Sequence, residues 1–134
     1  MKSARVRAVD GQPAPATPEA AVPRLWIRVD LGGDDRIGPG KIALLRTVES
    51  EQSISAAARA IGMSYRRAWL LIDSLNKSFG APLVETHIGG RGRGGAQLTE
   101  LGEAVVAGYD EIGDAALKAA RPALRKLASL RRRR

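Results

Sequence analysis

Two adjacent arginines follow a serine and a tyrosine near the middle of the chain, in the segment Ser64–Trp69. The guanidinium group of Arg66 or Arg67 is a planar fork that matches O6 and N7 of guanine, and the same fork can clamp a phosphate. This short segment therefore has the chemistry of a contact with duplex DNA. The alternative is a solvated helix face whose arginines have no partner.

The candidate DNA contacts include this segment and the serine that precedes an earlier helix. They are Ser53, Ser64, Tyr65, Arg66, Arg67 and Trp69. Helices that enter a DNA groove read bases with residues near their N-terminus, where backbone amides and the positive helix end also favour a phosphate. Both serines are good N-caps, because their hydroxyl oxygens can accept free backbone amides. For Tyr65 and Trp69, packing in the core is an equal alternative.

The segment that contains these residues has the pattern of a helix-turn-helix. We predict a short alanine-rich helix over Ile54–Ile61, a turn at Gly62 and a second helix over Tyr65–Phe79. Alanines in the first helix allow the two helices to approach closely, and glycine adopts the left-handed conformation of the turn at low cost. Met63 is apolar and can fill the corner between the helices.

A second basic motif is the loop Gly89–Gly95 (GGRGRGG), between strand candidates at Leu83–Ile88 and Ala96–Leu98. Its glycines let the backbone lie against a phosphate ribbon, and Arg91 and Arg93 can reach phosphates or the minor groove. It is not a nucleotide P-loop, because no Gly-Lys-Ser/Thr follows and both flanks are strands. A disordered arginine-glycine hairpin is the alternative.

The region before this motif divides into a tail, a strand and a helix. Residues 1–23 are rich in alanine and proline without apolar periodicity, so we expect a disordered tail. Leu25–Leu31 alternates apolar and polar residues, as in a half-buried strand. A helix is expected after Pro39, where apolar residues recur on one face.

A long helix is predicted after Thr99, which can cap it, and Pro122 is expected to break or kink it. One face of this helix carries the residues that we expect to form a dimer seam, namely Leu101, Val105, Tyr109 and Ile112. A homodimer is expected because two half-sites roughly add their binding free energies. Packing of this face onto its own domain is the alternative.

The charge of the chain is unevenly distributed. The sequence has 134 residues and a formal net charge of +8, which suits a polyanionic partner. Residues 115–134 carry eight cations and no acid, whereas residues 52–99 carry six cations against two acids. The run Arg131–Arg134 is either a non-specific electrostatic clamp on DNA or a solubilising tail.

Several function classes are disfavoured by composition. The chain has no cysteine and one histidine, so thiolate and histidine metal clusters are excluded. His87 is expected to be structural or solvated, and we expect neither an enzyme nor a cofactor. No apolar run approaches the roughly 20 residues that span a bilayer, so we expect no membrane association and a cytoplasmic, nucleoid-associated protein. The scarcity of aromatic residues disfavours single-stranded RNA recognition.

These patterns predict a mainly α fold with a small β-wing, a winged helix-turn-helix followed by a long C-terminal helix. We divide the chain into a tail over residues 1–23, a winged helix-turn-helix domain with its dimerisation helix over 24–116, and a basic C-terminal helix and tail over 117–134. The function expected from the residues is sequence-specific binding of double-stranded DNA. An architectural, nucleoid-type protein with little sequence preference is the alternative, and the arginine-glycine loop and basic tail would also suit it.

The order of elements and two segments, SISAAARAIGMSYRRAWLLIDSLNKSFGAPLVET and GGRGRGGAQLTELGEAVV, resemble the N-terminal DNA-binding domain of the ModE family over residues 24–115. These are molybdate-responsive regulators with a LysR-type winged helix. The resemblance implies a dimeric transcription regulator with its recognition helix over Ser64–Phe79 and its wing over His87–Leu98. In full ModE proteins a molybdate- or tungstate-binding module follows. Only about 20 residues follow Ala115, too few for that module, so we expect no small-molecule effector site in this chain.

Overall fold

The computed structural model describes residues 24–88 and 94–131. Within this part of the chain the elements follow in the order β1 (Val29–Gly32), β2 (Asp35–Ile37), α1 (Pro39–Glu51), α2 (Ile54–Ala60), α3 (Tyr65–Phe79), β3 (Val84–Ile88), β4 (Gly94–Leu98) and α4 (Glu100–Leu130). The predicted fold class, mainly α with a small β-wing and a long C-terminal helix, is confirmed.

The core forms around α1, whose Leu44, Leu45 and Val48 have no exposed surface. Helices α2 and α3 pack against it through Ala57 and Ala68, which are also fully buried. Because an alanine side chain is a single methyl group, these helices can approach closely, as a helix-turn-helix requires. The core therefore holds α3 by one face and leaves its opposite face in solvent.

The ends of α2 and α3 are fixed by the residues that the sequence singled out. The hydroxyl oxygen of Ser53 accepts the backbone N–H of Ala56 at 3.0 Å, and that of Ser64 accepts the backbone N–H of Arg67 at 3.0 Å. Gly62 has φ +72° at the turn, a conformation that side chains disfavour. The predicted helix-turn-helix is confirmed, with α2 ending one residue earlier than expected.

The wing is the antiparallel hairpin β3–β4, whose register runs from Val84↔Leu98 to Ile88↔Gly94. Strand β4 begins two residues before the predicted Ala96. The backbone N–H of Ala96 donates to the carbonyl of Gln52 at 3.0 Å, so the wing is joined to the end of α1. Arg91 and Arg93 lie outside the described residues.

The N-terminal strand prediction was wrong in its bounds. Regular pairing begins only at Val29, and β1 pairs with β2, a strand that the sequence did not predict. The backbone before β1 has another partner, because the hydroxyl of Tyr109 donates to the carbonyl oxygen of Ile27 at 2.5 Å. Apolar alternation predicted an extended segment here, but not which group its backbone would bond.

Helix α4 continues through Pro122, so the predicted break is wrong. Proline removes one backbone hydrogen bond within a helix. The residues around it are mostly alanine, leucine, lysine and arginine, which favour helix, and they are exposed or half-exposed, so water can reach the freed carbonyl. At 31 residues the helix is about 46 Å long. It crosses residue 116, where a domain boundary is predicted; the division into domains stays a prediction.

Candidate nucleic-acid interface

The first two turns of α3 present an exposed face. Ala68 and Ile72 face the core, whereas Tyr65 and Leu70 expose 53% and 59% of their surface. Arg66 is also exposed, and its side chain has no hydrogen bond or ion pair with any residue in 24–88 or 94–131. A guanidinium group in this position is available to a partner outside the domain.

Leu70 was not among the sequence-predicted contacts. It lies one turn after Arg66, so the two side chains share the outward face of α3. The signal was present in the sequence, because the buried stripe through Ala68 and Ile72 leaves residue 70 on the opposite side of the helix. An exposed leucine between polar neighbours is an apolar contact point for a partner.

The positive charge of α3 is concentrated in its first turn. Further along the helix, Lys77 pairs with Asp73 at 2.9 Å, one turn apart. This pair makes the distal half of the outward face electrically neutral. An anionic partner would therefore meet net positive charge only at the N-terminal end of α3.

Tyr65 and Trp69 form the side of α3 that faces the wing. Their rings meet edge to face, with centroids 6.3 Å apart and planes at 75°. They are exposed, so the alternative that they pack in the core does not hold. They line a groove of about 680 Å³ together with Ser53 from the start of α2 and His87 from the wing.

His87 lies near the loop end of the hairpin β3–β4, where it pairs with Gly95. A β-carbon on Gly95 would fall 2.4 Å from Nε2 of His87, so the imidazole rests directly on the glycine backbone. His87 is exposed, and its expected role as a structural or solvated residue stays a prediction. Within the described ranges, no group of three His, Cys, Asp or Glu residues is arranged to hold a metal ion.

The hydroxyls of Ser53 and Ser64 already accept backbone amides as N-caps. A serine hydroxyl also has a proton to donate, which capping does not use. Each serine can therefore cap its helix and donate to a phosphate oxygen at the same time. The structure brings both to the same surface as Tyr65, with Ser53 and Tyr65 lining one groove.

Arg67 lies on the other flank of α3. There it lines a second cavity with Arg28, Arg36 and Lys41. Arg28 directly precedes β1, Arg36 belongs to β2 and Lys41 lies at the start of α1. We call the pair β1–β2 the N-terminal hairpin. Sequence reasoning did not group these cations with α3. Their proximity depends on β2, and no periodic pattern in the sequence predicts that strand.

The four residues predicted to form a dimer seam have different environments. Val105 is buried and Leu101 and Tyr109 are half-buried against the core, where the Tyr109 hydroxyl bonds to Ile27. Arg46 and Asp110 form an ion pair that joins α1 to α4 in the same region. Ile112 lies beyond this contact and exposes 45% of its surface. The first turns of α4 therefore pack on their own domain.

In the described part of the chain, no helix is long and apolar enough to cross a membrane.

Comparison with known proteins agrees with this geometry. Residues 40–103 match the family described as bacterial regulatory helix-turn-helix protein, LysR family. The chain is 41% identical over 87 residues to the molybdenum-pterin-binding protein MopA of Rhodobacter capsulatus, which covers 65% of this chain and 33% of MopA. It is 40% identical over 86 residues to the molybdenum transport protein ModE of Azotobacter vinelandii, covering 64% and 31% of the two chains.

A third relative is the DNA-binding transcriptional dual regulator ModE of Escherichia coli K12, 38% identical over 81 residues, which are 60% of this chain and 31% of that protein. The matched region thus spans about a third of the length of these relatives. The family match over residues 40–103 includes the helix-turn-helix, the wing and the start of α4. The chain thus contains a winged helix-turn-helix that matches the LysR type over residues 40–103, and it is similar to proteins named MopA and ModE over about a third of their length.

Proposed function

We propose that the chain is a sequence-specific, double-stranded DNA-binding transcription regulator whose α3 enters the major groove. The observation that carries this proposal is the exposed Arg66, without an intramolecular partner among the described residues, on the outward first turn of a helix-turn-helix. A helix of this diameter fits the major groove, which is about 12 Å wide. The relatives whose names describe DNA-binding regulators support the same function.

Arg66 and Leu70 are the proposed base-reading residues. The guanidinium fork of Arg66 suits guanine, which presents O6 and N7 in the major groove. The leucine offers no hydrogen bond but can contact the methyl group of thymine. Tyr65, Trp69 and the serine hydroxyls lie to the side, where sugar and phosphate contacts are expected.

The wing is proposed to meet the DNA backbone or the minor groove beside α3. The hairpin β3–β4 forms one wall of the groove that Tyr65 and Trp69 line. Arg91 and Arg93 lie between its two strands in the sequence. Their role as phosphate or minor-groove contacts remains a proposal from their chemistry and position in the chain.

We also propose that the regulator is a homodimer that pairs through α4. Since Leu101, Val105 and Tyr109 are used by their own domain, the seam would centre on Ile112 and later apolar positions. Ile112, Leu127 and Leu130 expose 45%, 62% and 66% of their surface. Dimerisation would bury this apolar surface and place two α3 helices on two half-sites.

We propose that the protein is not an enzyme and that it binds DNA in the cytoplasm. Relatives with the same helix-turn-helix are named as transcriptional regulators, which supports this assignment. The chain spans only about a third of the length of the relatives MopA and ModE.

The experiment is a selection of bound duplexes from a random library by the purified chain, followed by affinity measurement at one stated salt concentration. We expect the selected duplex to bind at least about a thousandfold more tightly than a scrambled duplex of the same composition. Similar affinities for both would favour the architectural alternative. No binding to either duplex at low salt would overturn DNA binding itself.

A further inference from the structure

The second cavity, on the side of α3 away from the wing, is rich in cations. It has a volume of about 290 Å³ and we call it the cationic pocket. Its lining residues come from the hairpin, α1, the turn before α3 and α3 itself. They include the cations Arg28, Arg36, Lys41 and Arg67 and the acid Asp34. Four cationic side chains therefore face one carboxylate.

Contacts around the start of α1 hold two of these cations in place. The stem of Arg28 packs on Gly38, where a β-carbon would lie 3.4 Å from Cγ of the arginine. The ammonium group of Lys41 donates to the carbonyl oxygen of Arg36 at 2.8 Å, which leaves two further N–H donors. These positions are thus set before any ligand arrives.

Two cations of the pocket have no ion-pair partner within the described residues. Arg28 and Arg36 are exposed and make no ion pair in the described ranges. The neighbouring acid Asp35 accepts a hydrogen bond from the hydroxyl of Ser78 at 2.7 Å, on the α3 side. Burial lowers the pKa of Lys41, an effect that Asp35 opposes only in part. A bound anion would stabilise all these charges.

The position of the pocket indicates which anion it meets. On one flank of α3, Tyr65 and Trp69 face the wing groove, and on the other, Arg67 and Leu71 line the cationic pocket. A helix in the major groove nearly fills it, so each flank of the helix comes close to one phosphate ribbon. The wing can meet only one of the two ribbons.

We infer that the cationic pocket is a second backbone clamp, in which Arg28, Arg36 and Lys41 bind DNA phosphates on the side of α3 opposite the wing. The inference rests on the proposed function, since it requires α3 in the major groove. Gly38 and Gly40 line the pocket without side chains, so a phosphate can approach the backbone closely. The N-terminal hairpin thereby becomes part of the DNA-binding surface.

The test compares two charge-neutralised double variants with equal net charge. One is Arg28→Gln with Arg36→Gln, and its matched control is Arg121→Gln with Arg125→Gln, exposed arginines on α4. Affinity for the selected and the scrambled duplex is measured over a series of salt concentrations. Loss of two phosphate contacts should lower the slope of log K against log salt by about 1.8, while a change in net charge alone shifts both variants equally.

We expect the pocket variant to lose affinity on both duplexes by a similar factor, with a slope well below that of the control. Thermal unfolding of both variants verifies that each is folded, and Arg28→Lys with Arg36→Lys should restore most of the slope. Equal slopes for the pocket variant and the control would overturn the inference while leaving the proposed function intact, provided that the wild-type chain prefers its selected site.

A second arm separates the DNA backbone from a free anion as the ligand. Titration of the DNA-free protein with inorganic phosphate is followed by calorimetry, with the pocket variant as the comparison. Weak or no binding of phosphate, together with the loss of salt slope on DNA, supports the clamp. Tight phosphate binding that the pocket variant abolishes, with DNA affinity equal to the control, would assign the pocket to a small oxyanion and overturn the clamp.

Discussion

The backbone of Gly102 lies directly against the backbone of Leu83, because a β-carbon on Gly102 would lie 2.2 Å from the carbonyl oxygen of Leu83. The same carbonyl accepts the backbone N–H of Thr99 at 2.9 Å, and the Thr99 hydroxyl donates to the carbonyl of Pro82 at 2.7 Å. The first turn of α4 is therefore held against the start of the wing. This junction joins the start of the long helix to the start of the wing.

Gly102→Ala is expected to destabilise the domain by about 1–3 kcal/mol, because the added methyl group must displace backbone. The matched control is Gly108→Ala in the same helix, where a β-carbon meets no atom within 4 Å. That change should stabilise by about 0.5–1 kcal/mol through helix propensity. Urea unfolding of both variants measures the difference, and stabilisation by Gly102→Ala would contradict the close contact.

The contact between His87 and Gly95 predicts a coupling between the two positions. Gly95→Ala places a methyl group where the imidazole lies, so the side chain of His87 must move. In a His87→Ala background the same methyl group has room. We expect Gly95→Ala to lower the free energy of unfolding less in the His87→Ala background than in the wild type, with a difference of about 0.5–3 kcal/mol. A double-mutant cycle with a coupling of zero would show that the imidazole does not rest on Gly95.

The helix-turn-helix could be predicted in detail because its signals are local. Ser53, Ser64 and Gly62 act through their own backbone neighbourhood, and a cap or a left-handed turn needs no knowledge of the rest of the fold. The outward position of Arg66 followed from the buried stripe of the same helix. The caps at Ser53 and Ser64 and the exposed position of Arg66 are therefore as the sequence predicts, whereas the exposed Leu70 was missed.

Other features depend on contacts between distant segments, which sequence periodicity does not encode. Strand β2 forms because its partner β1 lies beside it, and without it Arg36 could not be placed near α3. The backbone of Ile27 bonds to Tyr109, 82 residues further along the chain. Pro122 remains inside α4 because its neighbours favour helix and its freed carbonyl is open to water. The sequence predicted that Leu101, Val105 and Tyr109 contact a second copy of the chain, although they pack on the core of their own domain.

Arg66→Ala should reduce affinity for the selected duplex by about 1–3 kcal/mol and relax the preference at one guanine, because the guanidinium fork reads O6 and N7. Arg66→Lys keeps the charge but loses the fork, so it should retain non-specific affinity without the base preference. The control is Arg59→Ala on α2, whose side chain bonds to the Ser55 hydroxyl at 3.1 Å. An equal loss on every duplex would instead identify Arg66 as a phosphate contact.

Leu70→Ala should remove sensitivity to one thymine methyl group. In the wild-type chain, replacing each thymine of the selected site by uracil removes a single methyl, worth about 0.8 kcal/mol or roughly fourfold in affinity when it is buried. We expect one or two positions to show this loss with the wild type and none of them with Leu70→Ala. Identical uracil profiles for the wild type and Leu70→Ala would rule out an apolar base contact.

Tyr109 predicts a pH dependence of stability. Burial raises the pKa of its hydroxyl above 10.0, while Arg46 lowers it and Asp110 raises it further. Because the folded state favours the protonated phenol, this stabilisation is present below the ordinary pKa and is lost as pH rises through the raised folded-state value. Tyr109→Phe also loses the hydrogen bond to Ile27, at a cost of about 0.5–1.5 kcal/mol near neutral pH.

Urea unfolding between neutral pH and strongly alkaline pH checks this prediction. The free-energy difference between wild type and Tyr109→Phe should be largest below the ordinary pKa of tyrosine and should shrink at higher pH. Lysines titrate equally in both proteins and cancel in the comparison. A difference that grows with pH would mean that the phenolate, rather than the phenol, is favoured in the fold.

The most direct test of the central claim is chemical protection of guanine N7, which lies in the major groove. The selected duplex is treated with dimethyl sulfate, free and in complex with the wild-type chain or with Arg66→Ala. We predict protection of at least one guanine N7 per half-site by the wild type, and loss of that protection with Arg66→Ala at protein concentrations that saturate the duplex. Full reactivity of every guanine N7 in the saturated wild-type complex would contradict the placement of α3 in the major groove.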